Sequence, residues 1–388
     1  MSRVYLISLS LLFALSASLV LTGGATSNLP SGLENPLTIR YPQLAQAAAP
    51  DWLVEGTRAT YYVISGTADS EQDTSVEYGS GNAGYGLSQT DIVALENGRA
   101  AANTQTYAPD SFGALRPVLG TASVSLLGCG DFWCNPNVLN SIPESAANDL
   151  VVQKLPLTLS GKSYQTIRFD FTDDTLQMAM VYDLDSGILL YHIVDYSSYS
   201  NRNSYLSTSS NHATYEFRDL RTVQMPWKRG VLPSWLVAHD TLTYQGQTAV
   251  QVQGAQPYGF PRTIQGVVTA LHNRYAEMTF TTYAKDAVAT TSSTTSVGGI
   301  NQLLGFWIPE DAVGKLGTGT VDSDPDTGMV ISIVQSGADG IIFEKTNQQD
   351  YRALFAYDSN GRLVQMTTEL NPDSTYGSSR TETLQLIG

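Results

Sequence analysis

Motifs for catalysis and metal binding are missing from this sequence, and histidine and cysteine are scarce. The 388 residues include 4 histidines and 2 cysteines. The zinc-binding pattern His-Glu-x-x-His, the nucleophile turn Gly-x-Ser-x-Gly and the phosphate-binding loop are all absent. The sequence therefore predicts a protein that is not an enzyme, with no catalytic residue, no cofactor and no bound metal.

Charged residues are also few, and most of them are acidic. They make up 15% of the chain, and the formal net charge is −15. So little charge argues against amphipathic surface helices, whereas 21 tyrosines together with many threonines, serines and glycines favour strands and turns. Because an acidic surface repels phosphate groups, we expect no nucleic-acid partner and no docking to anionic membranes.

One long apolar run occurs, and it lies at the start of the chain. Residues 4–21 are predominantly apolar and follow a single charge at Arg3, and Gly23 and Ala25 offer a small-residue cleavage site. This pattern predicts a secretory signal peptide over residues 1–27, although the run is also long enough to remain as an anchor. We expect an exported protein, either periplasmic, on the cell surface or extracellular, with no membrane span after cleavage.

The sequence contains a tandem duplication, because matched residues keep their order and nearly their spacing. The prediction is a first copy over residues 50–224, a linker over 225–231 and a second copy over 232–388. Residues 28–49, rich in Asn, Pro, Gly, Gln and Ala, are expected to form a flexible leader. The matched pairs are Trp52 with Trp235, Tyr61 with Tyr244, Asn97 with Asn273, Tyr107 with Tyr283, Trp133 with Trp307, Phe169 with Phe343 and Tyr182 with Tyr357.

Both copies carry the pattern of antiparallel β-structure. Apolar and polar residues alternate along several segments, and hairpin turns that end in glycine are predicted at 183–187, 324–328 and 358–361. A short helix or helical turn is expected in each copy after a Phe-Trp pair, at 136–142 and 309–315, where a proline stands near the start. The predicted fold is all-β and mainly antiparallel, each copy being either a curved sheet (a half-barrel) or a small sandwich.

Two cysteines and four tryptophans are predicted to be structural. Cys129 and Cys134 are close in sequence, and in an exported protein we expect them to form a local disulfide, because the redox motif needs Cys-x-x-Cys spacing. The tryptophans recur at matched places, and such large rings are expected to anchor each copy to its core. They are Trp52, Trp133, Trp235 and Trp307.

Three aspartates at alternate positions, Asp322, Asp324 and Asp326, resemble the opening of a calcium-binding loop. The similarity ends there, since Thr327 stands at the sixth position, where glycine is required, and Ile333 at the twelfth, where glutamate is required. We therefore interpret the segment as a hairpin turn and predict no metal site.

Tyrosines in a serine- and asparagine-rich stretch form the candidate binding loop. They are Tyr191, Tyr196, Tyr199 and Tyr205. Tyrosine supplies rigid contact area and serine supplies adaptable hydrogen bonds, a combination that binding loops use. Such a surface would stack on sugar rings or hold a partner protein; alternatively, the tyrosines pack along the sides of a long hairpin.

These observations favour a non-enzymatic β protein with two lobes that binds or carries a hydrophobic small molecule. Ligand sites often form where two lobes meet, and a curved sheet with a helical segment is the shape of LolA-like and lipocalin-like carriers. That is an analogy of shape, because none of their motifs is present. The alternative is a surface module that binds polysaccharide or protein through the tyrosines. A hydrolase without a recognisable motif is the third candidate, and it requires His192 to lie in a polar cleft beside a carboxylate.

Overall fold

The structure is a computed structural model, and the predicted signal peptide lies outside the residues that it describes. Within the described residues, no helix has the length and apolar composition needed to cross a bilayer. We refer to residues 35–223 as lobe one and to residues 224–388 as lobe two. The described residues are 35–72, 77–109, 113–147, 149–173, 176–202, 205–227, 230–283, 290–371 and 378–388.

Each lobe contributes ten strands within the described residues. The helical elements are α1 (Pro36–Arg40), α2 (Pro136–Ser141) and the short 3-10 turns η1 (Pro42–Leu44) and η2 (Glu310–Ala312). The strands of lobe one are β1 (Thr57–Gln72), β2 (Glu77–Glu96), β3 (Arg99–Pro109), β4 (Leu115–Leu126), β5 (Ser145–Ala146), β6 (Leu150–Leu159), β7 (Lys162–Thr172), β8 (Leu176–Asp183), β9 (Leu189–Arg202) and β10 (Tyr205–Thr222). Those of lobe two are β11 (Thr241–Val252), β12 (Tyr258–Leu271), β13 (Tyr275–Tyr283), β14 (Thr290–Gly299), β15 (Gly319–Ser323), β16 (Val330–Gly337), β17 (Gly340–Thr346), β18 (Tyr351–Asp358), β19 (Leu363–Leu370) and β20 (Ser378–Leu386).

Both lobes have the same strand order. Consecutive strands are antiparallel neighbours, except that β4 does not pair with β5 nor β14 with β15. In their place, the first strand of each lobe pairs with the last. The orders are β4-β3-β2-β1-β10-β9-β8-β7-β6-β5 and β14-β13-β12-β11-β20-β19-β18-β17-β16-β15. A sandwich needs two facing sheets, whereas the described strands of each lobe form a single sheet.

The sheet of lobe one curves around one core. Ala100 in β3, Val152 in β6 and Leu189 in β9 belong to the same buried cluster. Six strands lie between β3 and β6, so at about 4.8 Å per inter-strand spacing a flat sheet would hold them roughly 34 Å apart. The sheet must therefore bend back on itself. The predicted all-β fold of two similar units is confirmed, and its curved-sheet form is the one observed.

A closing segment lies between the two outer strands of each sheet, that is, between β4 and β5 and between β14 and β15. Trp133 in the first closing segment is 1% exposed, and its backbone pairs with Ile188. The second closing segment repeats this contact with Trp307 and Arg362. The helix α2, capped by the side chain of Asn135, follows the first tryptophan, and η2 follows the second.

The predicted disulfide between Cys129 and Cys134 is present in the first closing segment. Lobe two has Ile308 in place of Cys134, yet the neighbouring backbone contact is the same. The N–H of Cys134 donates to the C=O of Gly187, and the N–H of Ile308 donates to the C=O of Gly361, both at 2.9 Å. The disulfide is therefore added to a backbone geometry that both lobes share.

The tryptophans that begin the two copies make the same hydrogen bond. Trp52 donates through its indole N–H to the C=O of Ser186, and Trp235 donates to the C=O of Asn360, each at 2.9 Å. The two acceptors lie in the glycine-ended hairpin turns of their lobes. Such matched contacts are consistent with a duplicated unit.

The prediction of a flexible leader over residues 28–49 is wrong for residues 35–49. The helix α1 begins after Asn35, whose side chain accepts a hydrogen bond from the N–H of Leu37 at 3.0 Å. Leu37 and Leu44 are fully buried in the core of lobe one. Leu37 belongs to α1 and Leu44 to η1, and Tyr41, whose backbone is not helical, separates the two elements.

Candidate functional site

The lobes meet at an aspartate turn, which we define as residues 322–328 and which runs from the end of β15 to the residues before β16. Its carboxylates contact arginines of β1 and β10 in lobe one. Asp322 accepts two hydrogen bonds from Arg221, both at 2.9 Å, and Asp326 accepts one from Arg218 at 2.5 Å. The turn thus forms ion pairs with the neighbouring lobe.

Asp324 is the most densely bonded residue of the aspartate turn and is 2% exposed. It accepts hydrogen bonds from Arg221 at 2.6 Å, from Arg58 at 2.8 Å and from Gln89 at 2.9 Å. Burial alone would raise the pKa of its carboxyl group. The guanidinium groups and the N–H of Thr327 outweigh burial and hold that pKa well below its usual range. Asp324 is therefore a buried, charged partner for two arginines.

The carboxylates of the aspartate turn bind arginine guanidinium groups, whereas those of a calcium-binding loop would bind the metal ion. Each of its three carboxylates contacts at least one arginine of lobe one. The hairpin interpretation is confirmed, because the N–H of Gly328 donates to the C=O of Asp324 at 2.9 Å and β15 pairs with β16. No group of three or more His, Cys, Asp or Glu side chains in the described part of the chain is placed to hold a metal ion.

A second polar contact joins the lobes at Glu55. Its carboxylate accepts hydrogen bonds from Arg274 at 2.7 Å and from Asn301 at 2.5 Å, both in lobe two. Two small apolar clusters also contain residues of both lobes. The lobes are therefore docked by several contacts, and the space between them has walls from each.

A cavity of about 440 Å³ lies where the lobes meet, and its volume falls within the range of small-molecule sites. Lobe one contributes residues of β1 to β4. Lobe two contributes residues of β12 to β14, of β16 to β18 and of its closing segment. The apolar lining residues, which we call the apolar wall, come from lobe two and include Ile264, Phe280, Phe306, Ile331 and Phe355.

The charged residues that line the cavity are mostly cationic, in contrast to the acidic protein as a whole. They are Arg58, Arg262, Lys345 and Asp91. Arg58 is paired with Asp91, and Arg262 with Glu382, each at 2.6 Å. No carboxylate of the described residues lies within ion-pair distance of Lys345. Lys345 is therefore the cation of this cavity whose charge the described carboxylates leave unmatched.

Lys345 contacts phenols instead of carboxylates. Its Nζ donates a hydrogen bond to Oη of Tyr107 at 3.0 Å, across the lobe interface. Burial opposes the charge of Lys345, but Tyr107 and Tyr351 outweigh burial, so the pKa of the lysine lies above its ordinary value. Burial also raises the pKa of the Tyr351 phenol, against the effect of Lys345. At neutral pH the site therefore holds the ammonium group of Lys345 beside the protonated phenol of Tyr351.

Lys345 was not among the residues predicted from the sequence, although its position carries a signal. Ile341, Phe343 and Lys345 alternate along β17, and the first two are buried in the core of lobe two. Period-two alternation therefore places a lysine on the apolar face of the strand. The matched position in lobe one is Phe171. Comparison of the two copies at this position would have identified the substitution.

The predicted tyrosine loop is a hairpin of β9 and β10 in lobe one. Tyr191 and Tyr196 are an odd number of residues apart in a regular strand, so they lie on opposite faces. Tyr196 is 40% exposed, and Tyr191 is half-buried. The side chains of Tyr199 and Tyr205 lie outside the described residues. A sugar ring would therefore stack on either Tyr191 or Tyr196, but not on both.

His192 lies inside lobe one and is 2% exposed. Its ring centroid is 6.1 Å from that of Tyr215, and its Nε2 has no hydrogen-bond partner within the described residues. Asp195, a carboxylate close in sequence, contacts His212 at 2.5 Å instead. His192 thus occupies a core position, and the described residues do not provide the polar cleft that the hydrolase candidate requires.

We expect His192 to make the protein sensitive to mild acid. Burial lowers the pKa of His192 from 6.5 to about 4, so protonation favours the unfolded chain. Its contribution to stability is complete above about pH 6.5 and is lost as the pH falls toward about 4. Between about pH 7 and about pH 5 the loss is about 2 kcal/mol.

The variant His192→Met tests this expectation, because Met366 is the matched residue of lobe two. We would measure urea unfolding at about pH 7 and about pH 5. Between these pH values the free energy of unfolding should fall by about 2 kcal/mol less in the variant than in the wild type. Identical pH dependence in the two proteins would show that His192 is not the titrating group.

Comparisons with known proteins give no family for this chain. No family model matches it, and no curated protein matches it. Among solved structures, it is similar to a protein of unknown function from the DUF3598 family of Nostoc punctiforme, with 11% identity over 86% of this chain and 97% of that chain and a TM-score of 0.15. It is also similar to OccK8 (OprE) of Pseudomonas aeruginosa, with 7% identity over 85% of this chain and 98% of that chain and a TM-score of 0.11. At these values neither similarity bears on the function.

Proposed function

We propose that the protein is an exported, non-enzymatic binding protein that holds a hydrophobic small molecule in the cavity between its lobes. The observation that carries the proposal is the cavity, which combines an apolar wall with a few polar and cationic groups. This is the composition of small-molecule sites, where apolar surface supplies affinity and polar groups orient the ligand. The all-β fold of two curved sheets fits such a role.

A difference between the lobes supports a ligand in lobe two. In lobe one α1 packs into the concave face of the sheet, where Leu37 is buried in one cluster with Phe169 and Met180. The described residues of lobe two contain no matching helix. Phe355, which corresponds to Met180, lines the cavity. A hydrophobic ligand would cover the apolar surface that α1 covers in lobe one.

Export is supported by the disulfide and by the apolar N-terminal run. Disulfides form and persist in oxidising compartments, and Cys129 and Cys134 are bridged. An exported location also gives the cavity access to lipids and other apolar molecules of the cell envelope.

The proposal predicts that the delipidated protein binds N-phenyl-1-naphthylamine, an uncharged probe of apolar sites. Thr294 lines the cavity and is paired with Phe280 across the β13–β14 ladder, so the two side chains lie on the same face. A tryptophan at this position fills the space beside Phe280. In a fluorescence titration we expect Thr294→Trp to weaken probe binding more than about tenfold.

The matched control is Ser293→Trp, because the neighbouring residue of a strand points to the opposite face. This variant should bind the probe as the wild type does. Equal affinity in the two tryptophan variants, or no binding by the wild type, would contradict the proposal. Native mass spectrometry of protein from its own source then identifies the natural ligand as mass that is released on denaturation.

A further inference from the structure

We infer that the ligand of the cavity is an amphiphile with an apolar body and an anionic head group, a carboxylate or a similar oxyanion, which Lys345 and Tyr107 bind. The inference rests on the proposed function, because it assumes that the cavity holds a ligand. It adds the chemical class of that ligand and the position of its head group.

The charge of Lys345 is not matched by any carboxylate of the described residues. Arg58 and Arg262 line the same cavity, and each is paired with a carboxylate. Lys345 occupies a core-facing position of β17 that lobe one fills with Phe171. A charged group at such a position is costly unless an opposite charge accompanies it. The contacts of Lys345 with Tyr107 place no carboxylate beside the ammonium group, whereas an anionic ligand would supply the matching charge.

Lys345 and Tyr107 together present hydrogen-bond donors to the cavity. Nζ of Lys345 has three hydrogens and uses one of them toward Oη of Tyr107. Because Tyr107 accepts that bond, its own O–H proton is available to a ligand. The two donor atoms are 3.0 Å apart, and each of them can contact one oxygen of the same carboxylate. Hydrogen bonds from a cation to an oxyanion are stronger than those between neutral groups.

The position of the apolar wall sets the direction of the ligand. Tyr351 and Phe355 lie on the same face of β18, four residues apart, which corresponds to about 13 Å along a strand. Tyr351 lies beside Lys345, and Phe355 belongs to the apolar wall. A head group at Lys345 therefore leaves the body of the ligand extended along β18 toward Phe355.

The test compares two probes that differ in the head group, dodecanoate and dodecanol, by isothermal titration calorimetry. The wild type should bind dodecanoate more tightly than dodecanol. Lys345→Met should weaken dodecanoate binding by about 10-fold to 100-fold, the range expected for hydrogen bonds to a charged group. It should leave dodecanol binding unchanged. Tyr107→Phe, which keeps the ring, should weaken dodecanoate binding by a smaller factor.

Lys162→Met is the matched control, since Lys162 is exposed and its Nζ lies 4.7 Å from the ring centroid of Tyr164. This variant loses a lysine beside a tyrosine on the surface and should bind both probes as the wild type does. Wild-type protein that binds dodecanol as tightly as dodecanoate would overturn the inference and leave the proposed function standing. So would unchanged dodecanoate affinity in Lys345→Met. Wild-type protein that binds neither probe would overturn both.

Discussion

The variant Asp324→Ala is expected to lower the free energy of unfolding by about 3–5 kcal/mol, the range observed when one partner of a buried ion pair is removed. Arg58 and Arg221 both donate to this carboxylate. Their side chains are 10% and 16% exposed, so water replaces the lost oxygens poorly. Urea unfolding monitored by circular dichroism measures the change.

Asp185→Ala is the control for this prediction. Asp185 lies in the glycine-ended turn of lobe one and is exposed, and a surface substitution of this kind changes stability by less than about 0.5 kcal/mol. If the free energy of unfolding fell no further in Asp324→Ala than in Asp185→Ala, the aspartate turn would not hold the lobes together. Because the ion pairs cross the interface, we also expect Asp324→Ala to expose new cleavage sites to limited proteolysis between the lobes.

The variant Gly187→Ala is expected to lower the free energy of unfolding by more than about 3 kcal/mol, because backbone strain and a steric clash act together. Gly187 has φ +73°, which favours glycine, and a Cβ built on it would lie 1.9 Å from the C=O oxygen of Cys134. That oxygen belongs to the closing segment, whose N–H at the same residue donates to Gly187. The alanine would therefore push the closing segment away from the hairpin turn that it contacts.

Gly161→Ala separates the two causes. Gly161 has φ +79°, but a Cβ built on it meets nothing within 4 Å. In Gly161→Ala the free energy of unfolding should fall by only about 1–2 kcal/mol, which is the cost of the left-handed conformation for an alanine. Thermal unfolding of both variants measures the difference between them. Equal losses would show that the closing segment accommodates the added methyl group.

Much of the fold could be predicted from the sequence because its determinants are local. Gly187, Gly328 and Gly361 end three predicted turns, and all three adopt positive φ. The alternation of apolar and polar residues predicted antiparallel strands, which were found in both lobes. A proline after the Phe-Trp pair predicted the position of α2. Each of these signals depends on residues within a few positions of one another, where backbone preference and side-chain alternation decide the structure.

The leader shows where local interpretation failed. The amino-acid composition of residues 35–49 predicted a flexible segment, but Leu37 and Leu44 pack into the concave face of lobe one. The free energy that orders this segment comes from apolar area buried against the sheet. That buried area cannot be predicted from the sequence, because it depends on how the sheet curves around the segment.

The sequence by itself determined the antiparallel strands, the glycine-ended turns and the positions of the short helical elements after the two Phe-Trp pairs. Only the tertiary structure decided that Asp324 binds Arg58, 266 residues away, and that Lys345 meets Tyr107, 238 residues away. The physical reason is that these contacts depend on how two curved sheets dock. Docking is set by the sum of many interface contacts rather than by any local pattern. The candidate site lies in that interface and therefore became visible only in the folded protein.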